Sequence, residues 1–122
     1  RQMCIRDRCD IISPCALGGA INALNKSKLQ CKSIVGAANN QLEDLTIGEW
    51  LNKNNIVYAP DYLVNSGGVI AIASEINKTE SLIEEQLKKI GDRLTSVLEE
   101  SKRIGESTNL VAKRAAWERI NR

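Results

Sequence analysis

An α/β fold, with a parallel sheet between helical layers and a helical C-terminal region, is what the sequence predicts, and three observations predict it. Short apolar runs at residues 10–13, 31–37 and 56–59 are unbroken rather than alternating, as in strands covered on both faces. Segments with helical spacing separate them, and strands alternating with helices build parallel sheets with right-handed crossovers. From residue 79 to residue 101 one apolar stripe recurs at three- and four-residue steps, which marks a long amphipathic helix.

Taken in order, the first run, DIIS, stops at Pro14, which cannot donate to a sheet ladder. ALGGAINAL at residues 16–24 reads as a short helix weakened by Gly18 and Gly19. Polar NKSKLQ leads into the second run, CKSIVGA. Residues 43–54, with Leu45, Ile47, Trp50 and Leu51 apolar, read as a helix, and the third run, IVYA, stops at Pro60. NSGG at residues 65–68 is a loop or a helix start, and VIAIASEI at 69–76 continues as helix. Thr79 is a fair cap for the next helix, although no acid stands three residues on to complete a capping box. Ile83, Leu87, Ile90, Leu94, Val97 and Leu98 make the stripe, with Glu84 and Lys88, Glu85 and Lys89, and Asp92 and Lys88 dressing the other faces. Such a stripe serves either internal packing or a short coiled coil. Gly105 ends the element, and Thr108 is placed to cap a last helix bearing Leu110, Val111, Ala115, Trp117 and Ile120. A sheet this small leaves an edge to be paired or covered. The chain therefore reads as half of a doubly wound, three-layer sheet: strands and loops over about residues 9–78, C-terminal helices over about 79–122.

The bulk properties exclude several function classes. A chain of 122 residues holds one domain with a modest core, and 43% hydrophobic content fits a globular rather than a disordered protein. With 26% charged residues and a net charge of +2 there is no concentrated basic field for a nucleic acid. The basic cluster Arg1, Arg6 and Arg8 reads as an exposed lead-in. No apolar run approaches the roughly 20 residues of a membrane span, and no targeting segment is expected. The first residue is not methionine, so a larger parent protein is expected. Cys4, Cys9, Cys15 and Cys31 include no CxxC pair, and the chain has no histidine for a mixed site, so no metal is expected. Free thiols, and with them a reducing, cytoplasmic setting, are expected.

Candidate binding residues lie just after the three apolar runs, in SPCALGG, GAANNQL and APDYLVNSGG. Singly, each feature has an ordinary explanation. Pro14 ends a strand, Asn39 and Asn40 make a turn, Asp61 is a surface cap, and Asn65 is a bonded turn residue. Together, after three successive strands, they put two glycine pairs and three side-chain amides on one rim. In open α/β sheets ligands bind beyond the carboxyl ends of the strands.

PCALGGAIN, GAANNQL and YAPDYLVNSGGVI, in this order and at these intervals, resemble the C-terminal part of the amino-acid dehydrogenases that act on glutamate, leucine, phenylalanine and valine, above all the leucine-acting branch. The likeness runs from about Cys9 to the end of the chain. It implies the C-terminal half of a Rossmann-like dinucleotide-binding domain, NAD as cofactor, and a homo-oligomeric oxidoreductase. The implied reaction is reversible oxidative deamination of L-leucine and other branched-chain amino acids to 2-oxo acids and ammonia. On this resemblance Pro14, Cys15 and Ala16 run under the adenosine side of the cofactor, and Asn39 braces its loop or touches the nicotinamide ribose. Asn40 reaches toward the nicotinamide end and the bound amino acid, and Asn65 lies by the carboxamide. Gly67 and Gly68 allow close backbone approach, and Gly68, Val69 and Ile72 border the substrate side chain. Ile72 stands where glutamate-acting members have a serine that helps hold the side-chain carboxylate. An unpaired carboxylate there would cost several kcal/mol by order of magnitude. Val69 replaces the bulkier leucine frequent in phenylalanine-acting members, while Ala71 departs from the asparagine usual in leucine-acting ones.

No catalytic residue is expected in this chain. It has no GxGxxG turn, and Lys26, Lys28 and Lys32 lie outside the family's catalytic lysine motifs. By itself it is expected to be inactive and to self-associate through its open sheet edge. The alternatives are a phenylalanine or glutamate dehydrogenase of the same family, or a non-enzymatic interaction module resting on the amphipathic stripe.

Overall fold

The computed structural model describes residues 9–121. The expected lead-in with Arg1, Arg6 and Arg8, and Cys4, lie outside the described residues. Strands β1 (Ile11–Ile12), β2 (Ser33–Ile34) and β3 (Val57–Tyr58) form a parallel sheet in the order β1-β2-β3. Ile11, Ser33 and Val57 are in register, and so are Ile12, Ile34 and Tyr58. The strands are shorter than the apolar runs that announced them. Backbone bonds nonetheless carry the pairing outward, from Lys32 N to Asp10 O (2.9 Å), Val35 N to Ile12 O (3.0 Å) and Ala59 N to Ile34 O (2.9 Å). One register row faces the core, where Ile34 and Tyr58 are buried. In the other row Ile11 and Val57 are 57% and 47% exposed.

The core joins Ile34 and Tyr58 to Ile21, Leu29, Cys31, Ile47, Leu51 and Ile56, with Cys9, Ile12, Leu42 and Trp50 packed around them. Helix α1 (Leu45–Lys53) supplies Ile47 and Leu51 from its buried face. Asp44 starts it, its carboxylate accepting from Thr46 N (2.7 Å) and Ile47 N (3.2 Å), two amides that have no partner within the helix. The bond from the Thr46 hydroxyl, with these amides, holds the Asp44 carboxyl below the usual range.

The helix expected at residues 16–24 does not form. The segment is a series of turns with one parallel bridge, Ile21 to Leu42, and a 3-10 turn at Lys26–Lys28. Local side-chain bonding explains the difference. Asn22 Oδ1 accepts from Leu24 N (3.0 Å) and Asn25 N (3.2 Å), Asn25 Oδ1 accepts from Asn22 N (2.9 Å), and Asn25 Nδ2 donates to Ala20 O (2.7 Å). These bonds take the groups a helix would use, and Gly19 at φ 67° reverses the chain.

After β3 come α2 (Asp61–Val64), α3 (Gly67–Ile76), a 3-10 turn at Glu80–Leu82, α4 (Ile83–Ile104) and α5 (Thr108–Ile120). Thr79 precedes the 3-10 turn and makes no side-chain cap bond, so the long helix begins later than expected. Helix α4 contacts α2, α3 and α5, and of its stripe Val97 is buried, Ile83, Ile90, Leu94 and Leu98 are half-buried and Leu87 is exposed. Val97 is buried with Val111 and Ala112, beside Leu63 and Ile104. Of the expected charge pairs, Lys89 with Glu85 forms at 2.6 Å. Gly105 closes α4 in the left-handed region (φ 74°), its N–H donating to Ser101 O at 2.9 Å. Thr108 does not cap α5. Ser107 occupies that position, and the Thr108 hydroxyl donates instead to Tyr58 O (2.6 Å), tying the last helix to the end of β3. No helix among the described residues is long and apolar enough to cross a membrane.

Candidate functional site

The carboxyl ends of the three strands open into segments 14–19, 36–41 and 60–68, and the backbone stitches the first two together. Ala38 N donates to Pro14 O (3.0 Å), Gly19 N to Asn40 O (2.7 Å), and Ile21 N to Gln41 O (3.0 Å). The crossing is close enough that a side chain is excluded at Gly36 and would be tight at Gly18. A Cβ on Gly36 would lie 2.1 Å from Pro14 O, and one on Gly18 would lie 3.1 Å from Asn39 O. The third segment joins through side chains, since Asn65 Nδ2 donates to Asn39 Oδ1 at 2.6 Å and sits 3.4 Å from Ala37 O. The three segments read from the sequence as one rim are therefore in direct contact.

Asn39 and Asn40 are exposed and Asn65 is half-buried. Asn40 adopts the left-handed region at φ 52°, where asparagine is tolerated better than most residues. Cys15 and Ala16 are exposed beside the half-buried Pro14. The Cys15 thiol is lowered from its ordinary range, first by a hydrogen bond from the Ala37 backbone and next by Ser13, whose Oγ lies 3.3 Å from the sulfur. With no histidine in the chain to act as its base, Cys15 has no nucleophilic machinery. On α3, Val69 and Ile72 stand one turn apart, 70% and 61% exposed, and nothing lies within 4 Å of a Cβ built on Gly68. A Cβ on Gly67 would make an ordinary contact with Leu87 at 3.4 Å.

Two residues under the rim were not marked by the sequence. Gln41 is fully buried, and its Nε2 donates to Gly36 O (2.8 Å) and Ala38 O (2.9 Å), holding the loop before the asparagines in a tight curl. Its only signal was a third amide following Asn39 and Asn40 directly. Asp61, read as a surface cap, is instead 8% exposed. Its carboxylate accepts from Asn40 N and, at 3.2 Å, from the Tyr58 hydroxyl, which in turn accepts from Asp61 N at 3.3 Å. These bonds satisfy a buried carboxylate that would otherwise be costly. Burial, and next the Asp61 charge, push the Tyr58 phenol far above its usual range and that of Tyr62 up to about 12.

Comparison with known proteins places this arrangement. Residues 2–122 match the family model described as Glutamate/Leucine/Phenylalanine/Valine dehydrogenase. A leucine dehydrogenase from Thermoactinomyces intermedius is 44% identical over 115 residues, covering 92% of this chain and 31% of that protein. An L-tryptophan dehydrogenase from Nostoc punctiforme is 43% identical over 114 residues, covering 92% of this chain and 32% of its own. The crystal structure of L-tryptophan dehydrogenase from Nostoc punctiforme superimposes with a TM-score of 0.91 at 40% identity, covering 98% of this chain and 36% of that one. The chain thus spans about a third of the length of the curated relatives it matches.

Proposed function

The chain belongs to the glutamate/leucine/phenylalanine/valine dehydrogenase family, and from that premise we propose that it is the C-terminal portion of an NAD-dependent branched-chain amino-acid dehydrogenase. The proposed reaction converts L-leucine and its analogues reversibly to 2-oxo acids and ammonia. The observation that carries the proposal is the convergence of Asn39, Asn40 and Asn65 at the carboxyl ends of parallel strands, with Asn65 bonded to Asn39 at 2.6 Å. An exposed amide both donates and accepts, which suits the carboxamide of a nicotinamide and the polar groups of an amino acid. Gly68, with open space beside it, leaves room for a flat ring. These residues fit the nicotinamide end of the cofactor.

NAD held there would supply the acceptor for the hydride of the amino acid's α-carbon. This chain's part is alignment. In the proposal Asn40 orients the amino acid against the ring, Asn65 holds the carboxamide, and Asn39, through its bond to Asn65, fixes the angle between the loops. Pro14, Cys15 and Ala16 support the adenosine side. Val69 and Ile72 offer an apolar wall with no partner for a side-chain carboxylate, which favours leucine over glutamate. The full-length protein, assayed with leucine, valine, phenylalanine, tryptophan and glutamate, is expected to give its highest kcat/KM with leucine. Equal efficiency on glutamate would overturn the substrate reading, and no NAD-linked turnover of any of the five would overturn the reaction.

The non-enzymatic alternative gives way to the family match, although on the α4 stripe only Val97 is buried and Leu87 is 40% exposed. Self-association remains part of the proposal. Ile11 and Val57 on the sheet, and Trp117 and Ile120 on α5, are large apolar side chains left exposed. Light scattering over a concentration series is expected to give a mass of at least a dimer, and a constant mass near 13.5 kDa would refute this.

A further inference from the structure

We propose that Asp61 is a positioning residue for the two rim amides, setting Asn40 and Asn65 at a fixed spacing. The inference rests on the function proposed above and deepens it. Asp61 holds both residues at once, by different atoms. Its carboxylate accepts from Asn40 N, and its backbone carbonyl accepts from Asn65 N at 2.9 Å. Asn40 sits at φ 52°, a region sparsely populated by residues other than glycine, so something must hold it there. Its N–H is taken by Asp61 and its C=O by Gly19 N at 2.7 Å, so both backbone groups are anchored while the side chain stays exposed. Asp61 is itself fixed. It opens α2 directly after Pro60, and it exchanges hydrogen bonds with the buried Tyr58 phenol of β3. Strand end, carboxylate, loop amide and helix turn therefore form one rigid unit. Asp61 touches no substrate in this scheme and acts through Asn40.

The test is a double-mutant cycle in the full-length protein, with kcat/KM for leucine and the affinity for NAD measured separately. Asp61→Ala is expected to lower kcat/KM by about 10- to 100-fold, the range for a lost hydrogen bond to a charged group. Most of the loss should be recovered in Asp61→Asn, whose side-chain oxygen still accepts from Asn40 N. Adding Asp61→Ala to Asn40→Ala is expected to cost no more than about threefold beyond Asn40→Ala alone, because the two act as one unit. NAD affinity should move far less than kcat/KM, since Pro14, Cys15 and Ala16, which support the adenosine side in the proposal, make no hydrogen bond to Asp61. Fully additive losses, or an Asp61→Asn as impaired as a folded Asp61→Ala, would overturn the proposal. If Asp61→Ala does not fold, Asp61→Ser takes its place in the cycle with the same expected outcome. A readout without substrate separates this inference from the proposed reaction: hydrogen exchange at the Asn40 amide should quicken at least about tenfold in the Ala or Ser variant, as for an unprotected loop amide, and not in the Asn variant. If the full-length protein turns over no amino acid, the reaction proposal fails and the exchange rates alone decide the role of Asp61. An unchanged rate rejects it.

Discussion

Gly36→Ala is expected to destabilise the fold by about 3 kcal/mol or more, at the upper end for overpacking a tight site. The added Cβ would lie 2.1 Å from Pro14 O, 2.6 Å from Pro14 N and 2.7 Å from Pro14 Cδ. Two of these are backbone atoms and the third belongs to a fixed ring, so no rotamer change relieves the contact. Relief requires β1 and β2 to part where Ala38 N bonds Pro14 O, or Gln41 to give up its bonds to Gly36 O and Ala38 O. Gly48→Ala is a softer case. Its Cβ would meet the side-chain amide of Asn109, with Oδ1 at 2.1 Å, rather than backbone atoms, and that Oδ1 has no hydrogen-bond partner to lose among the described residues. Gly68→Ala is the control, since nothing lies within 4 Å and alanine is the better helix former. Thermal or urea melts of the three variants should rank Gly36→Ala far below Gly48→Ala, and Gly68→Ala level with the parent or above it. A loss under about 1 kcal/mol for Gly36→Ala, below the usual overpacking cost, would mean that the two loops are less tightly joined than the structure has them.

That junction also shows which features a sequence can disclose. The strands, their order along the chain and the loops after them were legible, because an apolar run stopped by Pro14 or Pro60 is a local signal. The stripe on α4 and its stop at Gly105 were legible for the same reason. The helix misread at residues 16–24 failed on a local competition that periodicity does not register, the mutual side-chain bonding of Asn22 and Asn25. Thr108, Gln41 and Asp61 failed differently. Each is polar and near a turn, where exposure is the ordinary expectation. Each is buried, and for two of them the partner comes from elsewhere in the chain: Tyr58 O lies 50 residues from Thr108, and Asn40 N lies 21 residues from Asp61, whereas Gln41 bonds locally to Gly36 O and Ala38 O. Asn39 and Asn40 were noticed because they are costly as packing material. Asp61, which holds Asn40, was missed because that partner is tertiary, and Gln41 because a polar side chain in a turn is ordinarily exposed.

The 122-residue chain by itself is expected to give no dehydrogenase turnover with NAD and leucine, the largest effect predicted here. Hydride transfer needs donor and acceptor atoms held about 3 to 3.5 Å apart with their orbitals aligned, and rate falls steeply with small misplacements. In the proposed reading the rim supplies amides for the nicotinamide end, but no glycine-rich turn of GxGxxG spacing stands in the sequence to hold a pyrophosphate on a helix N-terminus. General acid–base work on the substrate amine calls for a lysine or carboxylate within hydrogen-bond reach of it. The lysines nearest in sequence to the rim are engaged elsewhere. Lys26 lies over the Trp50 ring, 5.8 Å from its centroid, and Lys32 pairs with Asp10 at 2.8 Å at the opposite, amino-terminal end of the strands. Asp61, the carboxylate beneath the rim, is buried and taken by Asn40 N and Tyr58. The side chains left facing outward, Asn39, Asn40 and Asn65, orient polar groups but neither take nor give protons near neutral pH. A chain with alignment and no proton transfer leaves the uncatalysed barrier in place. The check is NADH formation by purified 122-residue protein beside the full-length enzyme at equal molarity. Turnover that tracks the short chain through purification would refute the expectation and would require a proton-transfer group that neither the rim nor the lysines provide.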